Sequence, residues 1–149
     1  MNEAEYRFPL FIDLNGKKCV VIGGGKIALR RIGVLLDFGA DVTVIAPACE
    51  AMPEGITFLK RPYQLGDLTG AFLAVAATND REVNHQVGLE ARQSGIFVSV
   101  ADRKEESTFF FPAICKGNGL VAGVVSRGAE HKKTAAAARE IRKILEELA

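Results

Sequence analysis

The chain has 149 residues, 48% of them hydrophobic and 25% charged, with a formal net charge of +1. Those values suit one globular domain with a genuine core and give no basis for a nucleic-acid or anionic-membrane partner. Three scattered cysteines, Cys19, Cys49 and Cys115, exclude a disulfide framework and a Cys-x-x-Cys metal site, so no metal is expected.

The lead-in begins with an acidic stretch, Met1 to Glu5, where a secretory leader would be basic, and runs from Tyr6 to Asn15 without periodicity. Lys18 to Ile22 reads as a first strand, closed by Gly23, Gly24 and Gly25. Ile27, Ile32, Leu35 and Leu36 then recur at roughly helical spacing, and Phe38-Gly39-Ala40 supplies a glycine stop. Asp41 to Ala46 is a second, β-branched strand ended by Pro47, and Ile56 to Lys60 is a short third strand. Gly66 to Gly70 reads as a turn or a short helix. Phe72 to Ala77 is a continuous apolar run, as expected of a strand buried on both faces. A helix follows over Asp80 to Ser94, capped by Asn79 or Asp80 and stopped by Gly95. Ile96 to Ala101 is a fifth strand. Phe109 to Ile114 and Leu120 to Ser126 are read as two further strands, joined by hairpin-turn residues Lys116-Gly117-Asn118-Gly119. Thr134 to Leu148 forms a terminal amphipathic helix.

Strands alternating with helices predict an α/β fold, a Rossmann-like parallel sheet with helices on both faces, followed by a short β-hairpin extension and a C-terminal helix. The expected organisation is a nucleotide-binding part over residues 1–105 and an extension over 106–149 that serves dimerisation. No apolar run spans a bilayer, and free cysteines in apolar runs fit a reducing, cytoplasmic setting.

Ligands of such sheets bind beyond the carboxyl ends of the strands, which directs attention to four segments. Gly23, Gly25 and Ala28 fill the three positions of a G-x-G-x-x-G/A fingerprint. The first glycine permits a tight turn, the second lets a pyrophosphate approach the backbone, and the small third residue lets helix pack on strand. The fingerprint alone is a weak signal; the strand before it and the helix after it turn it into a dinucleotide-binding expectation. After the second strand the usual acidic ribose ligand is missing, since the chain reads Ile45-Ala46-Pro47. No Arg or Lys stands there to favour a 2′-phosphate, so NAD is expected over NADP, its ribose held by backbone near Pro47 and Ala48. Thr78 and Asn79 follow the central strand, where capping a helix and bordering a cofactor crevice are compatible roles. Asp102 follows the fifth strand; a solvated loop carboxylate is the plain reading, and a carboxylate that takes a proton is the functional one. His85 and His131 show no ligand spacing.

Taken together, these segments resemble the N-terminal domain of the siroheme synthases, the precorrin-2 dehydrogenase/sirohydrochlorin ferrochelatase family. The resemblance is carried in order by Tyr6 to Gly16, the G-G-G-K-I-A-L-R-R run, Gly39 to Pro47, Ala74 to Asn84, Phe97 to Asp102 and F-F-F-P-A-I at 109 to 114, and covers residues 6 to 126. It implies NAD-dependent oxidation of precorrin-2 to sirohydrochlorin, with iron insertion following in many members, and a homodimer. It further implies that Gly23, Gly25, Lys26, Ile27, Pro47 and Ala48 contact NAD and that Asp102 is the catalytic aspartate. After Val124-Val125-Ser126 the family continues with Gly-Gly-x-Ser-Pro and a further helical region; here Arg127 to Lys132 and one helix follow. A second reading therefore stays open: a non-catalytic or partner-dependent subunit that binds NAD or a tetrapyrrole without chemistry.

Overall fold

The computed structural model describes residues 6–49, 51–128 and 130–148. The acidic stretch Met1 to Glu5 lies outside the described residues. The chain divides into two compact units, one of Ile12–Phe110 and one combining Met1–Phe11 with Phe111–Ala149.

The larger unit is built on a five-stranded, all-parallel sheet of β1 (Lys18–Ile22), β2 (Asp41–Ala46), β3 (Thr57–Lys60), β4 (Leu73–Ala76) and β5 (Phe97–Val100), in the order β3-β2-β1-β4-β5. The order reverses at β1, which pairs with β2 on one side and β4 on the other. Helix α1 (Lys26–Asp37) links β1 to β2 and α2 (Arg81–Gln93) links β4 to β5. Right-handed crossovers running in opposite directions along the sheet place these helices on opposite faces, as the sequence predicts. The alternation of β1 agrees: Val20 and Ile22 join the core beneath α2, with Val87 and Ala91 of that helix and Ala74, Ala76, Val98 and Val100 of neighbouring strands. Cys19 and Val21, also fully buried, face the other way.

The helix ends follow from glycine. Each helix stops at a glycine in the left-handed region, Gly39 at φ +78° and Gly95 at φ +68°. The Ala40 N–H then bonds the Leu35 carbonyl at 3.1 Å and the Ile96 N–H bonds the Ala91 carbonyl at 2.9 Å, so each chain turns straight into the next strand. At the start of α2 the cap is Asp80 alone of the two candidates, accepting from the Glu82 and Val83 N–H groups at 2.9 and 3.3 Å. The 64–70 segment is a run of turns pinned by the buried Glu90, which accepts from the Gly66 and Leu68 N–H groups, each at 3.0 Å, and from the Tyr63 hydroxyl.

Two expectations shift. Ile27 does not join the apolar face of α1; it is 45% exposed, and Ala28, Ile32 and Leu35 are buried instead. The strand expected over Phe109 to Ile114 begins only at Ala113. Thr108 still belongs to the edge of β5, its N–H bonding the Val98 carbonyl at 2.8 Å and its hydroxyl accepting from the Val98 N–H at 2.9 Å. Pro112 has no N–H to give a ladder. The same bonds carry the larger unit past residue 105, to Phe110.

In the smaller unit, β6 (Ala113–Gly117) and β7 (Leu120–Val124) form an antiparallel hairpin, joined by Asn118 and Gly119 at φ +50° and +78°. Two consecutive residues with positive φ are the type I′ signature that the Asn-Gly pair predicts. Helix α3 (His131–Glu147) packs Ala138 and Leu145 around the buried Cys115, and Asn118 donates to its Leu145 carbonyl at 2.6 Å.

Candidate functional site

The carboxyl edge of the parallel sheet gathers the segments singled out in the sequence. The tightest geometry is at the glycine turn after β1. The Gly23 N–H bonds the Ile45 carbonyl of β2 at 3.0 Å, while a Cβ on Gly23 would sit 2.2 Å from the Ala77 carbonyl oxygen beyond β4. Gly23 also has φ +129°, so a side chain there is excluded both by space and by backbone. The neighbouring Gly24, outside the fingerprint, is equally confined: its Cβ would lie 2.4 Å from the Ala48 carbonyl oxygen. Its place in the middle of three consecutive glycines is the sequence signal for it. The turn is thus wedged between the ends of β2 and β4, at the point where strand order reverses.

Gly25 is the opposite case. A Cβ there would meet nothing within 4 Å, and the residue is exposed. It opens α1 with no side chain capping the helix and no acidic residue in the first turn. The orphan N–H groups of that turn and the positive end of the helix dipole are left to an external anion. Lys26 and Ile27, both exposed, flank this opening, and Ala28 behind it is fully buried against the sheet. An open glycine beside an uncapped helix N-terminus fits the pyrophosphate of a dinucleotide. Pro47 and Ala48 stand exposed at the end of β2, with no acidic side chain on either.

At the end of β4, Thr78 is held by the fully buried Asn84 of α2. The Asn84 Oδ1 accepts from the Thr78 N–H at 3.0 Å and from its hydroxyl at 2.7 Å, while its Nδ2 donates to the Thr78 carbonyl at 3.1 Å. The Thr78 Oγ1 also accepts from the Asp80 N–H at 3.1 Å. Its side chain is therefore committed to shaping the turn, and Asn79 is the exposed member of the pair.

Asp102 lies past β5 with its side chain 38% exposed, paired through Oδ1 to Arg81 Nη1 at 2.8 Å. The other amino group of Arg81 binds Glu106, whose Oε1 lies 2.5 Å from His85 Nδ1. Burial pushes the Glu106 carboxyl up, but the hydrogen bonds from His85 and Arg81 outweigh it and hold the group below the usual glutamate range. Arg81, Asn84, Glu106 and His85 are absent from the sequence-derived site. Only the polar Asn84 at a helix position that faces the core offered a signal. Cys19, a fully buried residue of β1, has its thiol pushed up to about 11 by that burial and by Asp41, which leaves it inert.

Among the described residues, no group of three or more His, Cys, Asp and Glu side chains could hold a metal ion, and no helix is long and apolar enough to cross a membrane.

Residues 10–113 match the family described as "Putative NAD(P)-binding". The chain belongs to this NAD(P)-binding family. The match begins ahead of β1 and runs through the whole parallel sheet, so the cofactor class read from the glycine turn, a nicotinamide dinucleotide, agrees with it. The resemblance to siroheme synthases also stands. The chain is 47% identical over 93% of its length to the "Probable multifunctional siroheme biosynthesis protein HemA" of Ruminiclostridium josui, covering 28% of that protein. It is 39% identical over 81% of its length to a siroheme synthase of Methylococcus capsulatus, covering 27% of it. The chain thus spans less than a third of these relatives. Among solved structures it is similar to "SirC, precorrin-2 dehydrogenase", with a TM-score of 0.78, 28% identity and coverage of 93% of this chain and 71% of that one.

Proposed function

We propose that this chain oxidises precorrin-2 to sirohydrochlorin with NAD as the acceptor, on the way to siroheme. The observation that carries the reading is the shared edge: an open, uncapped glycine turn for a dinucleotide and a carboxylate, Asp102, beyond the same sheet. β1 and β5 are separated only by β4, about 10 Å at the usual strand spacing. The similarity to siroheme-biosynthesis proteins and to a precorrin-2 dehydrogenase supports the substrate.

Oxidation of the tetrapyrrole removes a hydride and a proton. When bound, NAD supplies the hydride acceptor. Gly25 and the first turn of α1 hold the pyrophosphate, Lys26 and Ile27 border it, and backbone at Pro47 and Ala48 holds the ribose. Thr78 and Asn79 form the wall of the crevice at the end of β4. Asp102 takes the proton, its Oδ2 making no hydrogen bond to another described residue. The end of β2 carries no cation to meet a 2′-phosphate, which favours NAD over NADP.

Precorrin-2 and NAD incubated with the purified chain should yield NADH and sirohydrochlorin, followed by absorbance, with turnover lost in Asp102→Ala and NAD preferred over NADP in a fluorescence titration. A folded protein that binds NAD and turns over nothing would return the chain to the partner-dependent reading. We further place it in the cytoplasm as a homodimer, the exposed apolar residues Leu120, Val121 and Val125 of the hairpin region supporting a self-association surface. Light scattering tests this; a monomer at working concentration rejects it.

A further inference from the structure

Arg81 is the first residue of α2, where the positive end of the helix dipole disfavours a cation. The chain places one there nevertheless and surrounds it with carboxylates brought from 21 and 25 residues away, Asp102 and Glu106. We infer that Arg81 is a positioning residue for Asp102, its guanidinium fixed from behind by Glu106 so that the Asp102 carboxylate is presented in one orientation at the sheet edge. The inference rests on the dehydrogenase reading above.

The anchoring is asymmetric. Asp102 is a loop residue with a side chain 38% exposed, and an isolated surface ion pair would hold it only weakly. Glu106 is far less exposed, at 16%, and is fixed on other sides as well: His85 meets its Oε1, and Arg92 Nη1 donates to its main-chain carbonyl at 2.6 Å. The segment carrying it is tied to β5, where the Ser107 hydroxyl accepts from the Val100 N–H at 2.8 Å. Glu106 therefore supplies a fixed point, Arg81 a planar fork with one amino group on each carboxylate, and Asp102 the group that the fork holds. Because Arg81 takes Oδ1 alone, the second oxygen stays open to a substrate. A reacting group held in one geometry contributes far more than one that samples several.

The test combines kinetics with a measurement that needs no turnover. Arg81→Ala should lower kcat by roughly tenfold to a hundredfold, as expected for a misplaced reacting group, with the dissociation constant for NAD unchanged. Arg81→Lys should restore part of that loss, because it keeps a cation beside the carboxylate. In parallel, three-bond NMR couplings should report a single Asp102 χ1 rotamer in the wild type and averaging in Arg81→Ala. Unchanged kcat in Arg81→Ala, or an Asp102 side chain already averaged in the wild type, overturns the inference. A wild type without turnover instead defeats the dehydrogenase reading, and the couplings alone then decide whether Arg81 positions Asp102.

Discussion

Asn84 and Thr78 are joined by three hydrogen bonds, a complete exchange between one buried amide and one residue's N–H, hydroxyl and carbonyl. The pair clamps the start of α2 onto the end of β4, and so fixes the backbone at Ala77 and Thr78 against which Gly23 packs. Asn84→Ala leaves the Thr78 N–H without its partner in a half-buried position. The expected cost is about 1–3 kcal/mol in urea unfolding. Dinucleotide affinity, read by fluorescence titration, should fall with it. An unchanged midpoint would mean that water replaces the amide.

Gly23 and Gly25 should separate the two uses of the fingerprint. Gly23→Ala forces a Cβ into the Ala77 carbonyl at positive φ and should lower stability by more than about 2 kcal/mol. Gly25→Ala meets open space at φ −83°, so the unliganded protein should unfold within about 0.5 kcal/mol of the wild type. The same methyl group stands where the pyrophosphate would come, so the dissociation constant for NAD should rise at least tenfold. A Gly25→Ala variant that binds NAD normally would remove the anion site from the turn.

The frame of the larger unit was legible because each strand is a short β-branched or apolar run and each helix ends on a glycine that must be left-handed. The boundaries of β1 and β2 followed from those signals to the residue. The failures have one cause, pairing that depends on tertiary neighbours. Phe109 to Pro112 has strand composition, but Ser107 and Thr108 bind it to the edge of β5 before a new ladder can start. Ile27 fits the helical spacing, but it falls at the mouth of the turn, where there is no sheet to cover it. The Arg81–Asp102–Glu106 cluster was invisible because its members come from a helix start and a loop more than twenty residues away. In the sequence, Arg103 to Glu106 looks like a solvated charge run; only the fold turns its last residue inward.

Asp67 should make the stability of the β3–β4 connection pH-dependent. The Arg61 guanidinium hydrogen-bonds both of its oxygens at 2.9 Å and the Gln64 N–H donates to it at 2.7 Å. The Arg61 hydrogen bonds hold its carboxyl below the usual aspartate range, against the opposing effect of burial and with help from the Gln64 N–H. A carboxyl whose pKa is lower folded than unfolded contributes stability that is present above the unfolded value, about 3.9, and is lost as pH falls through the folded value. Urea midpoints should therefore decline below about pH 4, and Asp67→Asn should flatten that part of the decline while lowering stability at neutral pH. Parallel curves for the two proteins would show that the pair contributes nothing.

Asn118 carries two separable duties in the smaller unit. Its φ of +50° opens the type I′ turn, and its Nδ2 donates to the Leu145 and Glu146 carbonyls at 2.6 and 3.3 Å, satisfying groups at the end of α3. Asn118→Gly keeps the backbone freedom and loses the side-chain bonds; Asn118→Ala loses both. Hydrogen exchange of the β6 and β7 amides should register Asn118→Gly as a loss of about 1 kcal/mol in local protection. Asn118→Ala should lose about 1 kcal/mol more, the cost of forcing a Cβ-bearing residue into the left-handed region. Equal protection in the two variants would leave the hydrogen bonds to α3 as the whole of the effect. Equal protection in Asn118→Gly and the wild type would assign it to the turn alone.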